Sequence, residues 1–164
     1  MKVENNMKLV FAAQSLPKSI FLAGPTPRSH QTIKSWRPEA IEHLQSLNFT
    51  GSVLIPESEG WVYKNEYNDQ VSWEWEALNL STVVVFWVPR DLQEMPAFTR
   101  NIEYGLMIAS TKCILGYPPS TPKMTYLERL AQRYNVPVHH EIKDVLAHAV
   151  RRCQEPFGMW SATE

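Results

Sequence analysis

The sequence predicts an α/β fold built on a parallel sheet, and three observations carry that prediction. Short, continuous apolar runs recur along the chain, where a sheet with one wet face would show apolar–polar alternation. Most of these runs are closed by Gly or Pro. Between them lie stretches whose apolar residues repeat at helical spacing. Strands buried on both faces and separated by helices are the pattern of a parallel sheet covered on each side.

The elements follow in order. Ser19–Ala23 (SIFLA) reads as a first strand, closed by Gly24 and Pro25. Arg37–Leu47 reads as a helix, with Ala40, Ile41, Leu44 and Leu47 as its apolar positions after Trp36 and Pro38. Val53–Ile55 is a second strand, stopped by Pro56. Residues 57–69 are polar and aromatic without a period; they form a long loop, and such loops in compact domains are often functional. Gln70–Leu80 is a helix, with Val71, Trp75 and Leu78 as its buried stripe. Thr82–Val88 (TVVVFWV) is β-branched and aromatic, the strongest strand signal in the chain. After a loop at 90–98, Thr99–Ser110 is a helix with Thr99 as candidate N-cap. Cys113–Gly116 is a fourth strand, Lys123–Tyr134 a helix, Val136–His139 a short fifth strand and Glu141–Arg152 a final helix.

Five such strands fit the flavodoxin-like order 2-1-3-4-5 with helices on both faces. In these sheets ligands bind beyond the carboxyl ends of the strands, at the switch point between strands 1 and 3. The loop Gly24–Arg28 and the loop Pro89–Thr99 are then expected to face each other across one crevice. Residues 1–18 read as an N-terminal extension, 19–152 as the domain and 153–164 as a C-terminal tail.

Composition narrows the function. A chain of 164 residues fits one domain, and 44% hydrophobic with 20% charged residues excludes a disordered or collagen-like chain. A formal charge of -1 leaves no basic excess for a stable grip on nucleic acid or acidic lipid. No apolar run approaches the ~18 residues needed to cross a bilayer, and the start of the chain is a poor secretion signal. The two cysteines, Cys113 and Cys153, cannot build a disulfide framework and read as free thiols of a cytoplasmic protein. His30, His43, His139, His140 and His148 lack metal-ligand spacing, so no metal is expected. No Ser or Cys sits in a nucleophile elbow.

The chemistry then falls to carboxylates. Glu74 lies on the apolar stripe of its helix, where an acid costs free energy unless it is paired. One reading is an acid that reaches water or an arginine; the other is a pocket carboxylate with a perturbed pKa. Glu103, in TRNIEYG, is expected within the first turn or so of its helix, where the helix dipole favours an ionised carboxylate. Two acids from different elements at one cleft suit glycosidic-bond chemistry. In AGPTPR, Gly24 lets backbone approach a ligand and Arg28 offers a forked cation, although a simple turn is the commoner meaning. Trp61, Tyr63, Tyr67, Trp73, Trp75 and Trp87 gather in the same region: Trp75 is expected in the core, while Trp73 and Trp61 suit an interface or a base-stacking role.

IFLAGPTPR, WRPEAIEHL, VLIPE, QVSWEWEAL with STVVVFWVP, and TRNIEYG, in that order, resemble the nucleoside 2-deoxyribosyltransferase family. The resemblance implies a flavodoxin-like fold, cleavage or transfer of the N-glycosidic bond of a (deoxy)nucleoside or its 5′-monophosphate, no metal or other cofactor, and a homodimer or higher oligomer. It implies Glu103 as nucleophile and Glu74 as the acid that positions it or handles protons. Gly24, Pro25, Thr26 and Arg28 would line the sugar and its 5′ substituent, with Asn101 and Trp87 also on the substrate side. The chain departs from many transferases at Ala97, where they carry an Asp, and at Arg100–Ile102, where other branches carry a glycine-rich run. Arg28 or Arg100 would suit a 5′-phosphate. Alternatives are an N-glycoside hydrolase acting on a larger nucleotide such as NAD, or a nucleotide-binding domain without turnover.

Overall fold

The computed structural model describes residues 1–5, 16–28, 33–57 and 67–155. Its strands are β1 (Lys2–Asn5), β2 (Leu16–Ala23), β3 (Ser52–Ile55), β4 (Ser81–Trp87), β5 (Cys113–Gly116) and β6 (Val138–His139). Its helices are α1 (Arg37–Ser46), α2 (Tyr67–Leu80), α3 (Phe98–Met107), α4 (Thr125–Tyr134) and α5 (Ile142–Gln154). All six strands run parallel in the order β1-β3-β2-β4-β5-β6.

The sheet therefore has six strands, and the expectation of five is corrected. The added strand comes from the segment read as an extension. β1 pairs with the edge of β3, from Lys2 opposite Ser52 to Asn5 opposite Ile55. KVEN carries no strand pattern of its own; the unpaired backbone edge of β3 is what such a segment can satisfy. Without β1, the remaining neighbours β3-β2-β4-β5-β6 follow the 2-1-3-4-5 sequence of connections.

Side-chain alternation along the strands builds two cores. Phe21 and Ala23 of β2, with Val84 and Phe86 of β4, pack under α2, α3 and α4 against Trp73, Ala77, Tyr104 and Leu127. Ile20 and Leu22, with Val83, Val85 and Trp87, pack under α1 and α5 against Trp36, Leu44, Val145 and Leu146. Helices thus cover both faces, and each central strand reads as an unbroken apolar run.

Three local expectations are corrected. In α2 the buried apolar positions among the described residues are Trp73, Ala77 and Leu78, with Trp73 tilted against Phe21 at 6.1 Å between ring centroids, while Trp75 is 59% exposed. WEW places one tryptophan on each side of the helix, so periodicity alone accepts either register. In α3 the N-cap is Ala97 at φ 61, one residue before Phe98, with no side-chain cap; Thr99 lies inside the helix. That helix also ends at Met107 and tightens into a single 3₁₀ turn, Ile108–Ser110. Among the described residues no helix is long and apolar enough to cross a membrane.

Gly24 sits where β2 meets the loop beyond it. A Cβ there would meet the backbone carbonyl oxygen of Trp87 and lie 2.6 Å from Cζ2 of Trp36. Neither a backbone oxygen nor a buried ring yields cheaply. Gly24→Ala is therefore expected to cost about 1–3 kcal/mol, as overpacking of a filled site does. Urea unfolding would register this as a lower midpoint at unchanged slope; an unchanged midpoint would contradict the packing.

Candidate active site

β2 and β4 are neighbours, and the chain leaves their carboxyl ends toward opposite faces of the sheet. The loops that follow them meet. The Arg28 amide donates to the Glu94 carbonyl at 3.0 Å, and Arg28 Nη1 donates to the Gln93 carbonyl at 3.0 Å. Between the loops opens a cleft of about 290 Å³. Pro25, Thr26 and Arg28 line one side, Pro96 and Ala97 another, and α2 and α3 close it with Glu74 and Glu103.

The first loop is held from below. Arg37, fully buried at the start of α1, donates from Nε to the Leu22 carbonyl at 3.2 Å and from Nη2 to the Gly24 carbonyl at 2.7 Å. Its Nη1 reaches Thr26 Oγ1 at 3.3 Å and pairs with Glu57. Ser35 Oγ donates to that carboxylate at 2.9 Å. Burial pulls the Arg37 pKa down to about 10, with Glu57 opposing. Reading WRPE as a helix start missed this clamp. The available signal was an arginine in the first turn of a helix, where the dipole disfavours a cation unless something else holds it.

The second half of the site is a triad of charges. Glu74 comes from α2 and Glu103 from α3, with Arg100, one turn before Glu103, between them. Arg100 Nη1 lies 2.8 Å from Glu74 Oε2 and 2.7 and 2.5 Å from the two oxygens of Glu103. Gln70 Nε2 donates to the other Glu74 oxygen at 2.9 Å. Side-chain exposure is 8% for Glu74, 10% for Arg100 and 4% for Glu103, so water screens these charges little. Burial pushes the Glu103 carboxyl up to about 7; Arg100 pulls against that shift and Glu74 adds to it. Burial opposes the charge on Arg100, but the two carboxylates outweigh it and raise its pKa.

Two expectations change here. Glu103 is the sixth residue of α3, beyond the free amides of the first turn, so desolvation governs it and the helix end does not. Arg100, considered for a phosphate, faces the two acids instead.

The other predicted residues divide. Pro25, Thr26 and Arg28 line the cleft with Glu74 and Glu103. Gly24 lies beneath it, its carbonyl taken by Arg37. Asn101 turns to the other side of α3, where its Oδ1 accepts from Arg90 Nη2 at 2.6 Å and it lines a separate groove with Lys123 and Tyr126. One residue along a helix is a rotation of ~100°, enough to carry Asn101 away from the face of Arg100. Trp87 is 6% exposed in the core under α1 and α5, because its place in β4 shares the face of Val83 and Val85. Trp75 instead stands at the mouth of the cleft. Trp61, Tyr63 and the tail beyond Glu155 lie outside the described residues, as does the side chain of Tyr67. Among the described residues no group of three or more His, Cys, Asp or Glu is placed to hold a metal ion.

In parallel α/β sheets the switch point is where small ligands bind, and here two helix-borne acids meet over it. The chain belongs to the nucleoside 2-deoxyribosyltransferase-like family, whose model matches residues 17–121. That stretch contains the Arg37 clamp and the whole Glu74–Arg100–Glu103 triad, and membership points to glycosyl transfer. No curated protein matches the chain.

The raised pKa of Glu103 has a sign in stability. Between its ordinary value of 4.5 and about 7, the unfolded chain has lost this proton and the folded chain keeps it. The folded state then binds more protons, so this group's contribution falls as pH rises through the window and is level above it. Glu103→Gln lacks the loss. The unfolding free energy of the variant relative to the parent is expected to rise between pH 4.5 and 7; a difference that is flat with pH would contradict the burial of this acid.

Proposed function

We propose that the cleft binds a (deoxy)nucleoside or its 5′-monophosphate and cleaves or transfers the N-glycosidic bond, with Glu103 as nucleophile. The observation that carries this reading is the convergence of Glu103 and Glu74, from two helices, in one cleft beyond the central strands. A Glu103 oxygen attacks C1′ of the sugar. The C1′–N bond breaks, and the base leaves with its electron pair and takes a proton from solvent by way of Glu74. Water or the N–H of a second base then attacks C1′ from the opposite side. Glu103 leaves with the electrons of the ester bond, and the proton returns by the same route. Two displacements give retention at C1′. A carboxyl titrating near 7 has about half of its population in the attacking form at neutral pH.

The loop clamped by Arg37 supports the sugar end, with Pro25 and Thr26 on the cleft side. Arg28 supports the 5′-monophosphate reading, since it is a forked cation at the rim whose described side-chain bond goes to the Gln93 backbone carbonyl of the facing loop. Incubation with deoxynucleosides and deoxynucleotides, with and without an acceptor base, is expected to release free base. Glu103→Ala should reduce that release at least about 100-fold. Activity close to the parent's in this variant would remove Glu103 from the role.

The same reading includes a homo-oligomer. Phe98, Ile102 and Leu106 stand at i, i+4 and i+8 along α3 and are 68%, 66% and 72% exposed. Such a stripe is wider than scattered surface apolar residues require, and Phe98 also lines the cleft, so a second copy seated there would narrow the mouth. Ile102→Glu is expected to turn the assembly into monomers in sedimentation equilibrium. A parent chain that is monomeric at all concentrations would contradict this part of the proposal.

A further inference from the structure

We propose that Arg100 is a positioning residue of this site, a single counter-ion that Glu74 and Glu103 share. It favours the ionised form of Glu103 and orients that carboxylate at the cleft before attack, and passes to Glu74 while Glu103 is esterified. The inference rests on the glycosyl-transfer reading for its second half; its first half stands on the resting structure alone.

One guanidinium nitrogen lies within hydrogen-bond distance of three carboxylate oxygens, two of Glu103 and one of Glu74. Two acids this close and this dry cannot both carry charge without a cation between them. Arginine suits the task because it keeps its proton throughout the working pH range. Both Glu103 oxygens meet the same nitrogen, so charge-assisted hydrogen bonds hold the carboxylate toward Arg100 before a substrate arrives. Arg100 and Glu103 are one turn apart on α3, and this aim is therefore built into a helix.

Charge bookkeeping follows the reaction. With both acids ionised the triad carries one net negative charge, suited to the positive charge that develops at C1′ as the base departs. When the Glu103 oxygen has bonded to C1′, its charge has left with the electron pair of the C1′–N bond. Arg100 then has one anionic neighbour, Glu74, and the triad is neutral. When the second attack frees Glu103, the cation is shared again. Arg100 forms no bond to the sugar or the base in this sequence; its contacts are to the carboxylate oxygens of Glu103 and Glu74. It acts through Glu103 and Glu74, and its charge is committed to them, which leaves Arg28, among the described lining residues, as the cation for a substrate anion.

The test needs a readout independent of turnover. Protein labelled with ¹³C at the glutamate carboxyls gives the Glu103 titration directly, with Glu103→Gln supplying the assignment. The parent midpoint is expected near 7. In Arg100→Met it should rise by roughly one to three units, the size of the effect of a neighbouring arginine on a carboxyl. Arg100→Lys should keep it near the parent's. Glu74→Gln should move it the other way, below the parent's, because Arg100 is then Glu103's alone. The acid limb of the pH profile of kcat/KM for base release should shift by the same amount as the midpoint in each variant, with activity in Arg100→Met partly recovered at high pH. A purely structural arginine would lower activity equally at every pH and leave the limb in place. An unmoved Glu103 midpoint in Arg100→Met, or in Glu74→Gln should the methionine variant not fold, overturns the proposal. If the parent releases no base from any substrate, the glycosyl-transfer reading fails by itself, while the carboxyl titrations still decide whether Arg100 is the shared counter-ion.

Discussion

A guanidinium held between two carboxylates, with little water near any of them, is the constraint on which the rest of this site depends. Isolated charges at such depth would be expensive, and the cost of removing one member exceeds what the intact group contributes. The arrangement therefore admits few alternatives. α2 has to present Glu74 and α3 has to present both Arg100 and Glu103 on one face, at a separation that a single side chain can span. The remaining packing serves that requirement: Trp73 seats α2 against Phe21, and Tyr104 seats α3 edge-on against Phe86 at 5.1 Å. Both rings sit on the same side of the sheet, in the core that supports the two helices.

A second buried ion pair works on the opposite side. Arg37 and Glu57 occupy the junction between α1, the end of β3 and the loop after β2. Arg37 satisfies carbonyls at the very place where β2 runs out of sheet partners. A loop that would otherwise fluctuate becomes a fixed rim, and Thr26 is held by the same nitrogen that reaches Glu57. Two desolvated arginines thus serve the cleft, Arg37 clamping the backbone of its rim from below and Arg100 lining it between the acids. Their like charges act on each other across the site, part of the reason Arg37 titrates below the usual range for arginine.

The alternation of apolar runs with helical stretches made the layered α/β plan legible, since it reflects burial on two faces and depends on nothing distant in sequence. The meeting of the loops after β2 and β4 followed from that plan, because topology places them, and the hydrogen bonds from Arg28 to Gln93 and Glu94 realise it. What was not legible depended on rotation or on pairing. WEW offers two tryptophans for one buried face, and only the contact with Phe21 selects Trp73. Trp87 and Phe86 differ by one position in a strand, so one serves each core. Asn101 and Arg100 differ by one position in a helix and serve opposite sides of α3. β1 is a strand by virtue of the edge it covers, and KVEN has no pattern to announce it. The pairings of Arg37 with Glu57 and of Arg100 with Glu74 were not legible either, because the partners lie 20 and 26 residues apart.

The central claim is that Glu103 becomes covalently attached to the sugar. Its most direct test is an acid quench of the protein during turnover of a deoxynucleoside in the absence of an acceptor base, followed by peptide mass analysis. A deoxyribosyl adduct on the peptide carrying Glu103, absent from Glu103→Gln, is the predicted result. Base release with no adduct at Glu103 and with inversion at C1′ would contradict the account.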